Sequence, residues 1–116
     1  MAAKPKPKNP FGGAPGYHYD DATIPYANKD EYVAKAIKFR IIDVFFEASG
    51  GFESADRWVV VVDVSDGRGL EALTFGTNPG RDAAMKEAKA CLEAEVPLEG
   101  LTLARSGNAY YINSAS

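Results

Sequence analysis

The chain has 116 residues, 46% hydrophobic and 25% charged, with 13 basic and 16 acidic side chains and a net charge of −3. A chain this long buries about 65% of its unfolded surface, enough for one core without staples. Its single cysteine, Cys91, excludes a disulfide framework or cysteine-rich zinc site, and its single histidine, His18, argues against a histidine-based metal or catalytic centre.

Residues 1–28 differ from the rest of the chain. Five prolines (Pro5, Pro7, Pro10, Pro15, Pro25) and three glycines (Gly12, Gly13, Gly16) leave too little apolar surface to offset ordering entropy. The segment reads as a flexible N-terminal arm with Phe11, Tyr17, Tyr19 and Tyr26 as its large side chains. A solvated tail is the favoured reading; an arm packed on its own domain or on a neighbour is the alternative. Lys4, Lys6 and Lys8 make the first ten residues +3, so residues 11–116 carry −6.

Residues 29–116 read as one domain. Its first strand covers 36–47. Ile37, Phe39 and Ile41 alternate with Lys38 and Arg40; then Ile42, Val44 and Phe46 take over the apolar parity. A one-residue slip of this kind predicts a β-bulge or sharp bend; burial on both faces is the alternative. Ser49 to Asp56 is a loop by composition. Arg57 to Val64 is a second, β-branched and therefore central strand. Ser65-Asp66-Gly67-Arg68-Gly69 is a hairpin turn leading to a third strand, Leu70 to Phe75. Asn78 then supplies an N-cap and Pro79 the first helical position. Met85, Ala88, Cys91, Leu92 and Val96 recur at helical spacing until Pro97. Cys91 reads as a small core residue, with a reactive thiol as the alternative that no adjacent His or basic cluster favours. Leu98 to Ser106 and Ala109 to Ile112 give a closing hairpin around Gly107-Asn108.

This order, three strands, one helix and two strands, predicts an all-β fold with one helix, a five-stranded OB-like barrel. The alternative is an α+β open antiparallel sheet with one helix. On the Ile37–Phe46 strand, Trp58-Val59-Val60-Val61-Val62, Leu73-Thr74-Phe75 and Ala109-Tyr110-Tyr111-Ile112, the chain resembles OB-fold single-stranded DNA-binding proteins, small phage-type or bacterial-type. The resemblance covers about residues 32–113. It departs from the bacterial pattern in having Asn113-Ser114-Ala115-Ser116 where that pattern has an acidic tail with a terminal aromatic. An acidic stretch, Asp20-Asp21-Ala22-Thr23-Ile24-Pro25-Tyr26, lies at the other end.

Catalytic signals are weak, so no enzyme activity, cofactor or metal is expected. Gly76-Thr77-Asn78-Pro79-Gly80-Arg81-Asp82 suggests a phosphate loop but lacks the Gly-Lys-Ser/Thr that would follow, and strand end plus helix cap explains it better. Asp63 and Asp66 flank a turn. Binding signals are stronger, because single strands are gripped by stacking aromatics and by Lys/Arg along the backbone. On an OB barrel those residues belong on the strand 2–3 face and the strand 1–2 and 4–5 loops. The resulting candidates are Lys38, Arg40, Phe52, Arg57, Trp58, Arg68, Phe75, Arg105 and Tyr110. Trp58 and Phe75 share parity with core residues and have an interior alternative. Tyr110 and Tyr111 point to opposite faces.

The expectation is a non-catalytic single-stranded DNA-binding protein of replication or recombination. The alternative is a structural or protein-interaction module, an assembly subunit or host-factor binder. It rests on Val59 and Val61, which give strand 57–64 a second apolar face that the arm, a second subunit or stacked bases must cover. A homo-oligomer through that strand or the arm belongs to this alternative. No apolar run nears the ~20 residues that span a membrane, and the Lys-Pro start lacks the apolar core of a secretory signal. A cytoplasmic protein is the expectation.

Overall fold

The structure, a computed structural model, describes residues 16–48 and 56–114. It is mostly β. Strands β1 (Tyr17–Tyr19) and β2 (Ala22–Ile24) form a hairpin, followed by a short helix α1 (Lys29–Ala34). Strands β3 (Phe39–Glu47), β4 (Arg57–Val64) and β5 (Gly69–Gly76), the main helix α2 (Pro79–Glu93), and strands β6 (Leu101–Ser106) and β7 (Ala109–Ser114) complete the chain. The last five strands form one antiparallel sheet in the order β5-β4-β3-β6-β7. Three consecutive strands thus pair, and the fourth returns through α2 to lie beside the first, which is a Greek key. Among the described residues β5 and β7 do not pair with each other, so the sheet is not closed into a barrel.

The slip in the β3 pattern is a bulge. Ile41 faces Val62 and Asp43 faces Val61, leaving Ile42 as the extra residue. The apolar parity changes there, so Phe39, Ile41 and Val44 all reach the same core. β4 is buried on both faces. Trp58, Val60, Val62 and Val64 join Leu73, Phe75 and Met85 in the main core, while Val59 and Val61 join Ile24 and Ala72 in a second cluster. Each fully buried Val contributes roughly 1.5–3 kcal/mol, which makes β4 the anchor of both layers.

The second cluster shows what covers the outer face of the sheet. Ile24 packs on Val59, Val61 and Ala72, with Tyr17, Tyr19, Ile42, Phe45 and Leu70 around them. Tyr19 donates to Asp43 at 3.2 Å. Tyr26 forms a parallel bridge with Ala72, whose N–H donates to the Pro25 carbonyl at 2.9 Å and whose carbonyl accepts from Ala27 at 2.8 Å. The sequence favours a solvated tail over 1–28, yet residues 16–28 lie against the sheet. Two tyrosine rings, Tyr17 and Tyr19, and Ile24 gain enough apolar contact there to hold a short hairpin. Gly16 lies so close to the Ile24 carbonyl that a Cβ would overlap its oxygen.

The single expected helix is joined by α1. Its signals are an Asn28 N-cap accepting from the Glu31 amide, and Asp30 and Glu31 in the first turn. A six-residue helix is too short to show periodicity. Its Tyr32 is fully buried and donates to Glu71 at 2.6 Å. Burial foremost, then this carboxylate, push the Tyr32 hydroxyl far above its ordinary value. Helix α2 begins as expected, with Asn78 accepting from the Arg81 amide at 2.8 Å and Pro79 in the first turn. It ends at Glu93, before Val96, because Glu95 adopts a positive φ of 60°. Val96 is exposed instead of helical. Asn78→Ala is expected to cost about 1 kcal/mol in urea unfolding, the usual value of a lost N-cap.

Candidate nucleic-acid interface

The described site residues divide among the β4–β5 turn, the opposite end of β4 and β5, and the β6–β7 hairpin. Lys38, Arg40 and Arg68 lie at the end that carries the β4–β5 turn. There Arg40 pairs with Asp63 at 3.1 Å across β3 and β4. Arg68 is held by Asp66 at 2.7 Å and by Glu31 at 3.0 Å, and reaches toward Glu71 at 3.6 Å. Its bonds hold the Asp66 and Glu31 carboxyls below their usual range. Arg68 therefore ties the turn to α1, with Gly67 supplying the left-handed φ of 92°. Lys38 is exposed and has no ion-pair partner among the described residues.

Arg57, Trp58 and Phe75 lie toward the other end, where β3 stops, β4 starts and β5 leads into α2, while Arg105 and Tyr110 lie on the β6–β7 hairpin, which runs past the start of β3. Trp58 and Phe75 are interior, only 5% and 4% exposed. The Trp58 indole donates to Asp82 at 2.8 Å, tying β4 to the first turn of α2. As stacking platforms both are corrected: β4 and β5 turn their even and odd residues respectively toward the core, so these rings point inward. Phe52 lies outside the described residues.

Around those two rings the structure gathers a partly exposed group that the sequence only half reveals. Arg57 pairs with Glu47 at 2.8 Å and lies 5.8 Å from the Tyr26 ring. Phe46 is 48% exposed and packs edge-on against Trp58 at 5.1 Å. Tyr110 donates a very short hydrogen bond to Asp30, and Arg105 lies over the same tyrosine ring at 5.5 Å. Between β5 and β7 stand Lys29 and Arg81. Lys29 donates to the Thr74 carbonyl at 2.6 Å. Arg81 donates to the Gly76 carbonyl at 3.1 Å and the Tyr110 carbonyl at 2.6 Å. These side chains bridge the two sheet edges where a closed barrel would have a ladder.

Lys29, Arg81, Tyr26 and Phe46 are absent from the sequence candidates. Arg81 sits inside the Gly76–Asp82 segment, whose capping role accounts for that stretch without the arginine. Lys29 follows the Asn28 cap of a helix too short to read from the sequence. Phe46 keeps the apolar parity of its strand, but it stands at the strand's end, where the core stops.

Below this group a cleft of about 660 Å³ runs between α2 and β7, lined mainly by apolar side chains such as Met85, Ala88, Leu98 and Ile112. Cys91 is half-buried along it. Among the described residues no three His, Cys, Asp or Glu side chains gather in a metal-binding arrangement. No helix among them is long and apolar enough to cross a membrane.

The structure also bears on strand 57–64 as an oligomer interface. β4 is flanked by β3 and β5, and both its faces are buried within the chain. It offers no free edge or face among the described residues, so that expectation is corrected. Comparison with known proteins finds no matching family model, no matching curated protein and no matching solved structure.

Proposed function

We propose that this chain is a non-catalytic single-stranded DNA-binding module of the OB type, acting in replication or recombination. A five-stranded Greek key with its helix between the third and fourth sheet strands supports the OB reading, because that barrel is itself partly open. Fold alone does not carry function. The observation that carries it is one chain of contacts: Lys29, Arg57, Arg81 and Arg105 stand with Tyr26, Phe46 and Tyr110 around the end of β5 and the seam between β5 and β7. An OB reader uses the loops joining strands 1–2 and 4–5; here Arg57 opens the strand after the first, and Arg105 and Tyr110 flank the second. The outer β4–β5 face is occupied by the chain's own hairpin. The proposed strand therefore runs over the seam between β5 and β7 instead of across that face.

Aromatics in such an interface are sequence-tolerant stacking surfaces, and cations follow the phosphates. Binding is tested by fluorescence anisotropy of a labelled oligothymidylate at low salt, with duplex DNA and RNA as competitors. Quenching of Trp58 is the poorer readout because the ring is buried. Binding in the micromolar range or tighter, weakening with salt, is expected. No binding at tens of micromolar protein would overturn the reading. Phe46→Ala is expected to weaken that binding by about 1–3 kcal/mol, the value of one base stack, while thermal unfolding changes little. Equal affinity in the variant would remove Phe46 from the interface.

A further inference from the structure

Lys29 and Arg81 differ from the other four arginines; Lys38 likewise has no ion pair among the described residues, but it is exposed. Arg40, Arg57, Arg68 and Arg105 each have a carboxylate within ion-pair distance. Among the described residues Lys29 and Arg81 have none; their partners are backbone carbonyls and rings. Both lean on the same ring, Lys29 at 5.4 Å and Arg81 at 5.2 Å from Phe75. The neighbouring carboxylates are already engaged. Asp30 accepts from Tyr110 and Arg105, and Asp82 accepts from the Trp58 indole.

Two like charges are thus held near one ring, half-buried, with no carboxylate within ion-pair distance among the described residues; Asp30 acts on Lys29 only from farther off. The Lys29 ammonium lies below its ordinary pKa, through burial first and the Arg81 charge second. Bridging two carbonyls needs donors but not charge, so the seam alone does not account for two cations. Donors also remain. An ammonium has three N–H groups and a guanidinium five; the carbonyls occupy one of the former and two of the latter. A guanidinium fork beside an ammonium suits the non-bridging oxygens of a phosphate. Arg81 also sits in the first turn of the 15-residue α2, where the helix field adds to the positive potential.

We propose that Lys29 and Arg81 form a phosphate-binding site that takes one backbone phosphate of a single strand crossing the β5–β7 seam. This rests on the reading of the chain as a single-stranded DNA binder and names a specific contact within it. The ring of Phe75 orients both cations without touching the ligand.

The test compares wild type with the Lys29→Gln/Arg81→Gln double variant, titrating oligothymidylate at several salt concentrations. One lost phosphate contact should make the log K against log salt slope shallower by about 0.7. Because the pair bridges the seam, circular dichroism first checks that the variant folds. In parallel, the Arg81 Nε–H resonance of wild-type protein is followed during titration with the oligonucleotide and with inorganic pyrophosphate. A saturable shift with the oligonucleotide and the shallower slope support the site. An unmoved Arg81 resonance, or an unchanged slope in a folded variant, overturns it while DNA binding itself stands. A saturable shift with pyrophosphate but no oligonucleotide binding supports an anion site and overturns the strand reading.

Discussion

Trp58→Ala is expected to lower the unfolding free energy by about 3–5 kcal/mol, the cost of emptying an aromatic-sized core position. Trp58 is 5% exposed and packs in the main core with Val60, Leu73, Phe75 and Met85. It also carries the 2.8 Å bond from β4 to Asp82 on α2. A loss of that size is a large part of the ~5–15 kcal/mol that holds a small domain together. Trp58→Phe separates the two contributions. It keeps most of the ring volume and drops the indole N–H, so a cost of about 1–3 kcal/mol is expected from the lost bond. Urea unfolding measures both. While the Phe variant stays folded, its affinity for oligothymidylate should match wild type. A Trp58→Ala cost below about 1 kcal/mol, or a large affinity loss in folded Trp58→Phe, would contradict an interior role.

Ile24→Asp is expected to undock the N-terminal hairpin. Ile24 is buried among Val59, Val61 and Ala72. A carboxylate there loses its hydration without a described cationic partner in the cluster, a cost of several kcal/mol. The chain escapes that cost by releasing the hairpin, which bares the outer face of β4 and β5. Three signs are expected together: a lower melting temperature, faster proteolysis within residues 1–28, and stronger self-association by light scattering. Ile24→Val, which keeps the apolar contact, should cost only about 0.5–1.5 kcal/mol. Unchanged proteolysis and scattering in Ile24→Asp would mean that the hairpin does not hold the sheet covered.

Much of the architecture is legible in the sequence because it arises from local patterns. The parity slip at Ile41-Ile42 marks the bulge, Asn78-Pro79 marks the start of α2, and Asp66-Gly67 marks the hairpin turn. The two apolar faces of strand 57–64 require a cover. The cover is the N-terminal segment, whose Pro and Gly content masks the packing value of Tyr17, Tyr19 and Ile24. Closure of the sheet is not legible, since it depends on contacts between β5 and β7, which are far apart in sequence. The site is legible in residue type more than in place. Arg57, Arg105 and Tyr110 fall in the cluster, Arg40 and Arg68 lie by the β4–β5 turn, and all four arginines are joined to acids. A lysine or arginine shows its charge in the sequence; whether an acid neutralises it is decided by tertiary pairing. Lys29 and Arg81 show the converse, with unremarkable sequence context and no described carboxylate partner.

Mapping amide shifts of the wild-type protein during titration with oligothymidylate tests the central claim most directly, because it separates the β5–β7 seam from the β4–β5 turn in one experiment. The expected result is saturable change at Arg57, from Gly76 to Arg81, and from Arg105 to Tyr110. Changes confined to Lys38, Arg40 and the turn from Ser65 to Gly69, or no saturable change at all, would contradict the proposed interface.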